Sequence, residues 1–341
     1  MRWLLSTLLV ITLLVPSVVT APAQSVDELF GKVSQSVVVI RAKGREVSAG
    51  RGVQGFSETG SGVLVSGDGK VMTAAHVVHT MDEIAVQFLG GETVGARVIA
   101  SEPSADLSLL QLDRVPAGGR VATLGDSDKV RVGAQVLVVG APYGLSYSLS
   151  VGWISARWAP NTVYRSMPLA EFFQTNATIN TGNSGGPMFS MTGEAIGIVS
   201  HIISKSGGSE GLGFVVTMNT ARDLLLNQRS FWGGIEGTFV TGELAEILNV
   251  PSGAGYLVKT VAKGSPAWNA GVLGGDRTAT IGGETLVVRG DVILEVAGVP
   301  VKQAGDFVSI RKRLESMTAG APISISVLRA GQIVKLTGKV P

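Results

Sequence analysis

Gly182-Asn183-Ser184-Gly185-Gly186-Pro187 is the stretch on which the reading of this chain turns. It sets one serine among residues too small to cover its hydroxyl, in a loop where backbone N–H groups can converge beside it. An acyl-transfer nucleophile needs both. The hexapeptide alone fits two geometries, because it also satisfies G-x-S-x-G, a sharp turn from a strand into a helix. The downstream residues separate the two. Ser184 is followed by two glycines, Pro187, a Thr192-Gly193 turn and then the strand-like Ala195-Ile196-Gly197-Ile198-Val199, which leaves no place for a helix. The strand-to-helix geometry also requires an acid and then a histidine after the serine. His201 is the only downstream histidine, and Glu194, the one acid between, lies too near in sequence to stand on a separate loop.

Upstream, a histidine stands in Thr73-Ala74-Ala75-His76-Val77-Val78, after the strand-turn-strand pattern of residues 61–71. Thirty residues later comes Ser104-Ala105-Asp106-Leu107. The order His76, Asp106, Ser184 is that of chymotrypsin-like enzymes. TAAHVV at 73–78, ADLSLLQL at 105–112 and GNSGGP at 182–187, with Asn180 two residues before Gly182, together resemble the HtrA family of trypsin-like serine proteases. The resemblance runs over nearly the whole chain beyond its first segment. His79 and His201 read as surface or satisfied core histidines, and Asp113 as a turn acid.

The resemblance implies roles. His76 accepts the Ser184 proton during attack and returns it to the leaving amine, because a neutral serine hydroxyl is a poor nucleophile. Asp106 holds the imidazole tautomer and stabilises the imidazolium. The N–H groups of Gly182 and Ser184 form the oxyanion hole, where one donor is worth about 3 kcal/mol in the transition state.

Composition agrees with many short strands: 46 glycines and 45% hydrophobic residues over 341 positions, with aromatics scarce at 6%. A net charge of +2, with basic residues dispersed among acids, gives no nucleic-acid footprint. Three histidines and no cysteine give no metal cluster and no disulfide, so neither cofactor nor metal is expected. Residues 1–23 read as a signal peptide: Arg2, an apolar stretch, Pro16 and Ala21-Pro22-Ala23 as a cleavage site. The competing reading is an uncleaved inner-membrane anchor through residues 3–19. Either way the chain is exported, and the absence of cysteine fits bacterial envelope members of the family, placing it in the periplasm.

The expected fold is mainly β: a chymotrypsin-like double β-barrel over 24–229, followed by an α+β PDZ domain over 230–341. A short helix over 26–34 precedes the strands. The first barrel runs to about residue 120; the second has strands near 134–140, 148–157, 173–179 and 195–201 and a closing helix over 219–229. Residues 230–234 read as a linker. Beyond them, Gly264-Ser265-Pro266-Ala267, Ala270-Gly271-Val272, Gly290-Asp291-Val292-Ile293-Leu294 and a helix at 305–316 resemble an HtrA-type PDZ domain. By position, Gly233, Gly234 and Ile235 correspond to its carboxylate-binding loop, with Gly233 departing from the bulky apolar residue common there; the alternative is a flexible glycine hinge. An insertion at 275–289 reads as a β-hairpin around Gly282-Gly283.

The resemblance implies an ATP-independent endopeptidase that cleaves unfolded proteins, takes a peptide at the PDZ domain, and assembles as a homotrimer or higher oligomer with Phe30 at the contact. Asn176 stands where the family often has aspartate. The pocket for the residue before the scissile bond falls on 179–182, 199–203 and 211–215. Glu210 is the only carboxylate beside these segments, so a small or aliphatic side chain is expected there. Two other functions fit the pattern: a non-proteolytic chaperone or scaffold on a protease fold, and a membrane-anchored signalling protease with one target.

Overall fold

The computed structural model describes residues 25–142 and 147–340. The expected signal segment lies outside them. Six strands, β1 (Val37–Ser48), β2 (Gly52–Leu64), β3 (Lys70–Thr73), β4 (Glu83–Gln87), β5 (Thr93–Glu102) and β6 (Leu107–Leu112), close into a barrel in the order β1-β2-β3-β6-β5-β4. Six more, β7 (Gln135–Gly140), β8 (Ser148–Trp158), β9 (Phe172–Thr175), β10 (Pro187–Ser190), β11 (Ala195–Ile202) and β12 (Gly213–Thr217), close in the order β10-β11-β12-β9-β8-β7.

Side-chain alternation builds three layers from these strands. Val38, Ile40 and Ala42 fill the first barrel, while Val37 and Val63 face the other way. In β7, Val136 and Val138 fill the second barrel, and Leu137 and Val139 join Val37 and Val63 between the barrels. Strands buried on both faces have no polar side, which is why residues 37–40 and 136–139 are unbroken apolar runs. Helix α1 (Val26–Val33), capped by the Ser25 hydroxyl, adds Leu29 and Val33 to the middle layer. Each such fully buried side chain contributes about 2 kcal/mol, so this layer fixes the spacing of the barrels.

The short α2 (Ala75–Val78) follows β3, and α3 (Met218–Arg222) follows β12. The helix expected over 219–229 is thus broken, passing into a π-helical turn at Asp223–Asn227. Strands β10 and β12 go beyond the sequence expectation, and β9 stops at Thr175 rather than 179.

The C-terminal unit contains β13 (Ile235–Thr241), α4 (Gly242–Ile247), β14 (Ala254–Val261), α5 (Pro266–Asn269), β15 (Arg277–Ile281), β16 (Glu284–Val288), β17 (Val292–Val296), β18 (Val299–Pro300), α6 (Asp306–Glu315), β19 (Pro322–Arg329) and β20 (Gln332–Lys339). Its sheet runs β13-β14-β17-β19-β20 with β18 on β17, and β15 pairs with β16 alone. The β15–β16 hairpin is the one expected, turning on Gly282 and Gly283 at φ +60° and +86°. Within the segment 230–234, Phe231 packs on the C-terminal core and Trp232 on the core of the first barrel.

Candidate active site

Three polypeptide segments meet between the barrels. His76 lies in the first turn of α2, which is pinned where the Ala75 N–H donates to the Asp106 carbonyl at 3.1 Å. The His76 backbone N–H donates to Asp106 Oδ1 at 3.1 Å, and Nδ1 lies 2.9 and 3.0 Å from the two carboxylate oxygens. A carboxylate only accepts, so Nδ1 carries the proton and Nε2 is left as the base. Asp106 itself has φ +53°, a left-handed conformation that non-glycine residues adopt at a cost. The 3-10 turn Pro103–Ala105 ahead of β6 imposes it, and it aims the carboxylate at His76.

The Ser184 loop belongs to the second barrel and is held from the first. Ser61 of β2 donates its N–H to the Ser184 carbonyl at 2.8 Å and its hydroxyl to the Gly182 carbonyl at 2.7 Å. Thr73 in turn donates to the Ser61 carbonyl at 2.7 Å. This close approach requires glycine at 185: with φ +81°, a Cβ there would lie 2.1 Å from Thr73 Oγ1 and 2.3 Å from the Ser61 carbonyl oxygen. The N–H groups of Asn183 and Gly185 are used, by the Asn180 and Val199 carbonyls. Those of Gly182 and Ser184 donate to no group among the described residues.

The Ser184 hydroxyl donates to the Ser200 carbonyl at 3.2 Å, and among the described residues it makes no hydrogen bond with His76. His76 and Asp106 are paired; Ser184 is beside them with its hydroxyl turned away. Loose geometry of this kind is common in unliganded sites.

Burial works against the imidazolium of His76, but the Asp106 hydrogen bond and charge, with Glu58, overcome it and raise its pKa above 6.5. Burial would raise the Asp106 carboxyl, yet its bonds to His76 and Ser200 hold it below the ordinary 3.8. His79 matches its expectation as a satisfied histidine, with Nε2 donating to the Ile235 carbonyl at 3.0 Å and Nδ1 facing Ser101 Oγ at 2.7 Å. His201 does not match. It is neither a surface residue nor fully satisfied: Nδ1 lies 2.8 Å from the Ser200 hydroxyl, which donates to Asp106, and Nε2 is buried without a partner among the described residues. Sequence reasoning placed Ser200 only within the pocket segment 199–203 and missed its bond to Asp106. The signal available was its place late in β11, whose Ser200 carbonyl accepts the Ser184 hydroxyl.

Asn176 accepts the Trp153 N–H at 2.8 Å through Oδ1, a bond that an aspartate would also accept. Glu210 is tied into its own loop, accepting from the Ser204 and Ser206 hydroxyls and the Lys205 and Ser206 N–H groups.

Residues 60–198 match the family model described as a trypsin-like peptidase domain. A probable periplasmic serine endoprotease DegP-like of Pseudomonas putida (strain W619) is 34% identical over 283 residues, 80% of this chain and 53% of the relative. The periplasmic pH-dependent serine endoprotease DegQ of Escherichia coli (strain K12) is 31% identical over 336 residues, 92% of this chain and 69% of the relative. Among solved structures, an HtrA-type protease AlgW with tripeptide aligns at a TM-score of 0.53 and 31% identity, covering 92% of this chain and 96% of that one. The chain belongs to the HtrA family of trypsin-like serine proteases.

This HtrA chain spans about half the length of several curated relatives it matches, 53% and 50% of the two from Pseudomonas putida. A second AlgW structure, titled with decapeptide, aligns at a TM-score of 0.53 and 28% identity. In the HtrA chain described here, Gly233, Gly234 and Ile235 lead into edge strand β13. The Gly233 and Gly234 carbonyls accept from Ala267 and Ala262 at 3.2 and 2.8 Å, and the N–H groups of these two glycines donate to nothing among the described residues.

Proposed function

We propose that the chain is an ATP-independent serine endopeptidase of the bacterial cell envelope, acting on unfolded proteins through His76, Asp106 and Ser184. The observation that carries this reading is the Nδ1-protonated His76 paired with Asp106, beside a serine whose loop leaves two N–H groups free. His76 Nε2 takes the Ser184 proton as the hydroxyl attacks the peptide carbonyl, and the developing oxyanion accepts from the Gly182 and Ser184 N–H groups. The proton then passes to the leaving amine, and water repeats the sequence to free the acyl group. The names of the relatives, periplasmic endoproteases, support the envelope location.

Residues 230–341 act as a PDZ domain that takes a peptide along β13. The free N–H groups of Gly233 and Gly234 receive its carboxylate, and Phe239, Tyr256 and Phe307 form an aromatic cluster joining β13 and β14 to α6. The titles of the AlgW structures, with a tripeptide and a decapeptide, agree with peptide binding. With Glu210 committed to its own loop, the cleavage pocket suits a small or aliphatic residue. A homotrimer joined through the α1 side, with half-buried Phe30, is the assembly proposed.

The turned-away Ser184 hydroxyl favours a second reading, a protein that holds unfolded chains without cutting them. Casein degradation by wild type and Ser184→Ala separates the two. The protease reading expects a loss of at least 1,000-fold in the variant; equal cleavage overturns the nucleophile, and no cleavage by either, with casein still bound, establishes the holding function.

A further inference from the structure

The donors and acceptors around Asp106 extend past the three residues assigned to the chemistry. The Ser200 hydroxyl owns one hydrogen and gives it to Asp106 Oδ2. Its 2.8 Å contact with His201 Nδ1 therefore runs the other way, with His201 as donor and Ser200 as acceptor. This fixes the tautomer: Nδ1 is protonated and Nε2 is a bare acceptor. Nε2 is buried without a partner among the described residues, so a proton placed there would be an unsatisfied buried donor.

The ring cannot readily swing out of this arrangement. Tyr164 stands edge-on with centroids 4.0 Å apart, Phe172 edge-on at 5.6 Å, and Phe214 stacks within 14° of parallel at 5.6 Å. The cage also keeps the ring neutral. Burial leads the effects on His201, Asp106 opposes it and His76 adds to it, and the pKa falls to about 4. Throughout the neutral range the ring is a fixed, uncharged donor to Ser200.

We propose that His201 is a positioning residue for the hydrolytic reaction: through Ser200 it holds the second oxygen of Asp106 and so sets the basicity of His76. This rests on the serine protease reading for its consequence in catalysis, but not for its electrostatics. Ordered by His201, the Ser200 hydroxyl draws charge from the carboxylate, and linked hydrogen bonds of this kind reinforce one another. Without the donor, Ser200 bonds Asp106 less well, the carboxylate keeps more charge for the imidazolium, and His76 binds its proton more tightly. The ionisable groups acting on His76 are Asp106, between β5 and β6, and Glu58 of β2; the neutral His201 ring of β11 bonds Ser200, which bonds Asp106.

The test is an NMR titration of His76 in the Ser184→Ala protein, which needs no activity. His201→Phe suits the aromatic cage and removes the donor; the His76 midpoint is expected to rise by about half a unit. His201→Asn, whose amide N–H can stand at the Nδ1 position, should bring it back. In a Ser200→Ala background, His201→Phe should move it no further, because the path through the hydroxyl is gone. With Ser184 restored, the acid limb of kcat/KM should follow the titration, a loss of about three-fold below the midpoint and little change well above it. An unmoved midpoint in folded His201→Phe, a shift that persists without Ser200, or no recovery with asparagine overturns the proposal. Failure of the nucleophile assignment would appear separately, as proteolysis retained by Ser184→Ala, and would leave the titration result standing.

Discussion

The three histidines of this chain show how one residue type acquires three electrostatic fates. His76 is raised above 6.5, whereas burial lowers His79 below it and takes His201 to about 4. If His76 is the base proposed for Ser184, only its unprotonated form can accept the serine proton, so activity falls as pH drops through its raised pKa. The acid limb of kcat/KM should therefore have a slope of one and a midpoint above 6.5; a slope of two or a midpoint below 6 would mean that another group controls it. Stability responds in the opposite sense. The raised pKa of His76 stabilises the fold below 6.5, and that contribution is lost as pH rises through its folded value. The placement of His76 against Asp106 was legible in the sequence, because each stands in a local pattern suited to the proposed chemistry. His201 was not, because its role depends on the direction of one hydroxyl and on a cage drawn from Tyr164, Phe172 and Phe214.

At the scale of elements, legibility followed the local signal. The strand β12 is buried at every position, so it lacks the alternation that marks a half-buried strand, and β10 is four residues long and opens on Pro187. The strand β9 ends early because side chains replace its ladder: Thr175 Oγ1 accepts the Ala177 N–H and Asn176 takes that of Trp153. The β15–β16 hairpin was readable from Gly282-Gly283 alone, since paired positive φ values belong to its two-residue turn. Replacing both by alanine should cost the hairpin about 1–2 kcal/mol per residue. Hydrogen exchange is expected to show lost protection over 277–288 with both barrels unchanged; equal protection throughout would show that packing, not the turn, holds the hairpin.

Across the whole molecule, the C-terminal unit is fastened chiefly to the barrel that carries His76. Trp232 Nε1 donates to the His79 carbonyl at 2.8 Å and His79 returns a bond to Ile235, so the proposed peptide loop is tied to the end of α2. Asp82 accepts from Arg45 and from the Lys263 N–H, Arg45 reaches the Val261 carbonyl, and the guanidinium lies 5.5 Å from the Trp268 ring centre. Arg311 of α6 meets Glu102 of β5 at 2.6 Å, with side chains only 17% and 13% exposed. Removing one partner of such a pair leaves the other charge buried alone, so Arg311→Ala should weaken the junction by about 3 kcal/mol. Removing Glu102 as well should restore part of that loss, because no orphaned charge remains. Calorimetry and small-angle scattering on the full chain check this: the single variant should show the C-terminal unit melting earlier and a larger radius of gyration, and the double variant a smaller change. A double variant as loose as the single one would mean that the ion pair attracts more than it costs to bury, and that charge complementarity rather than apolar packing holds the two units together.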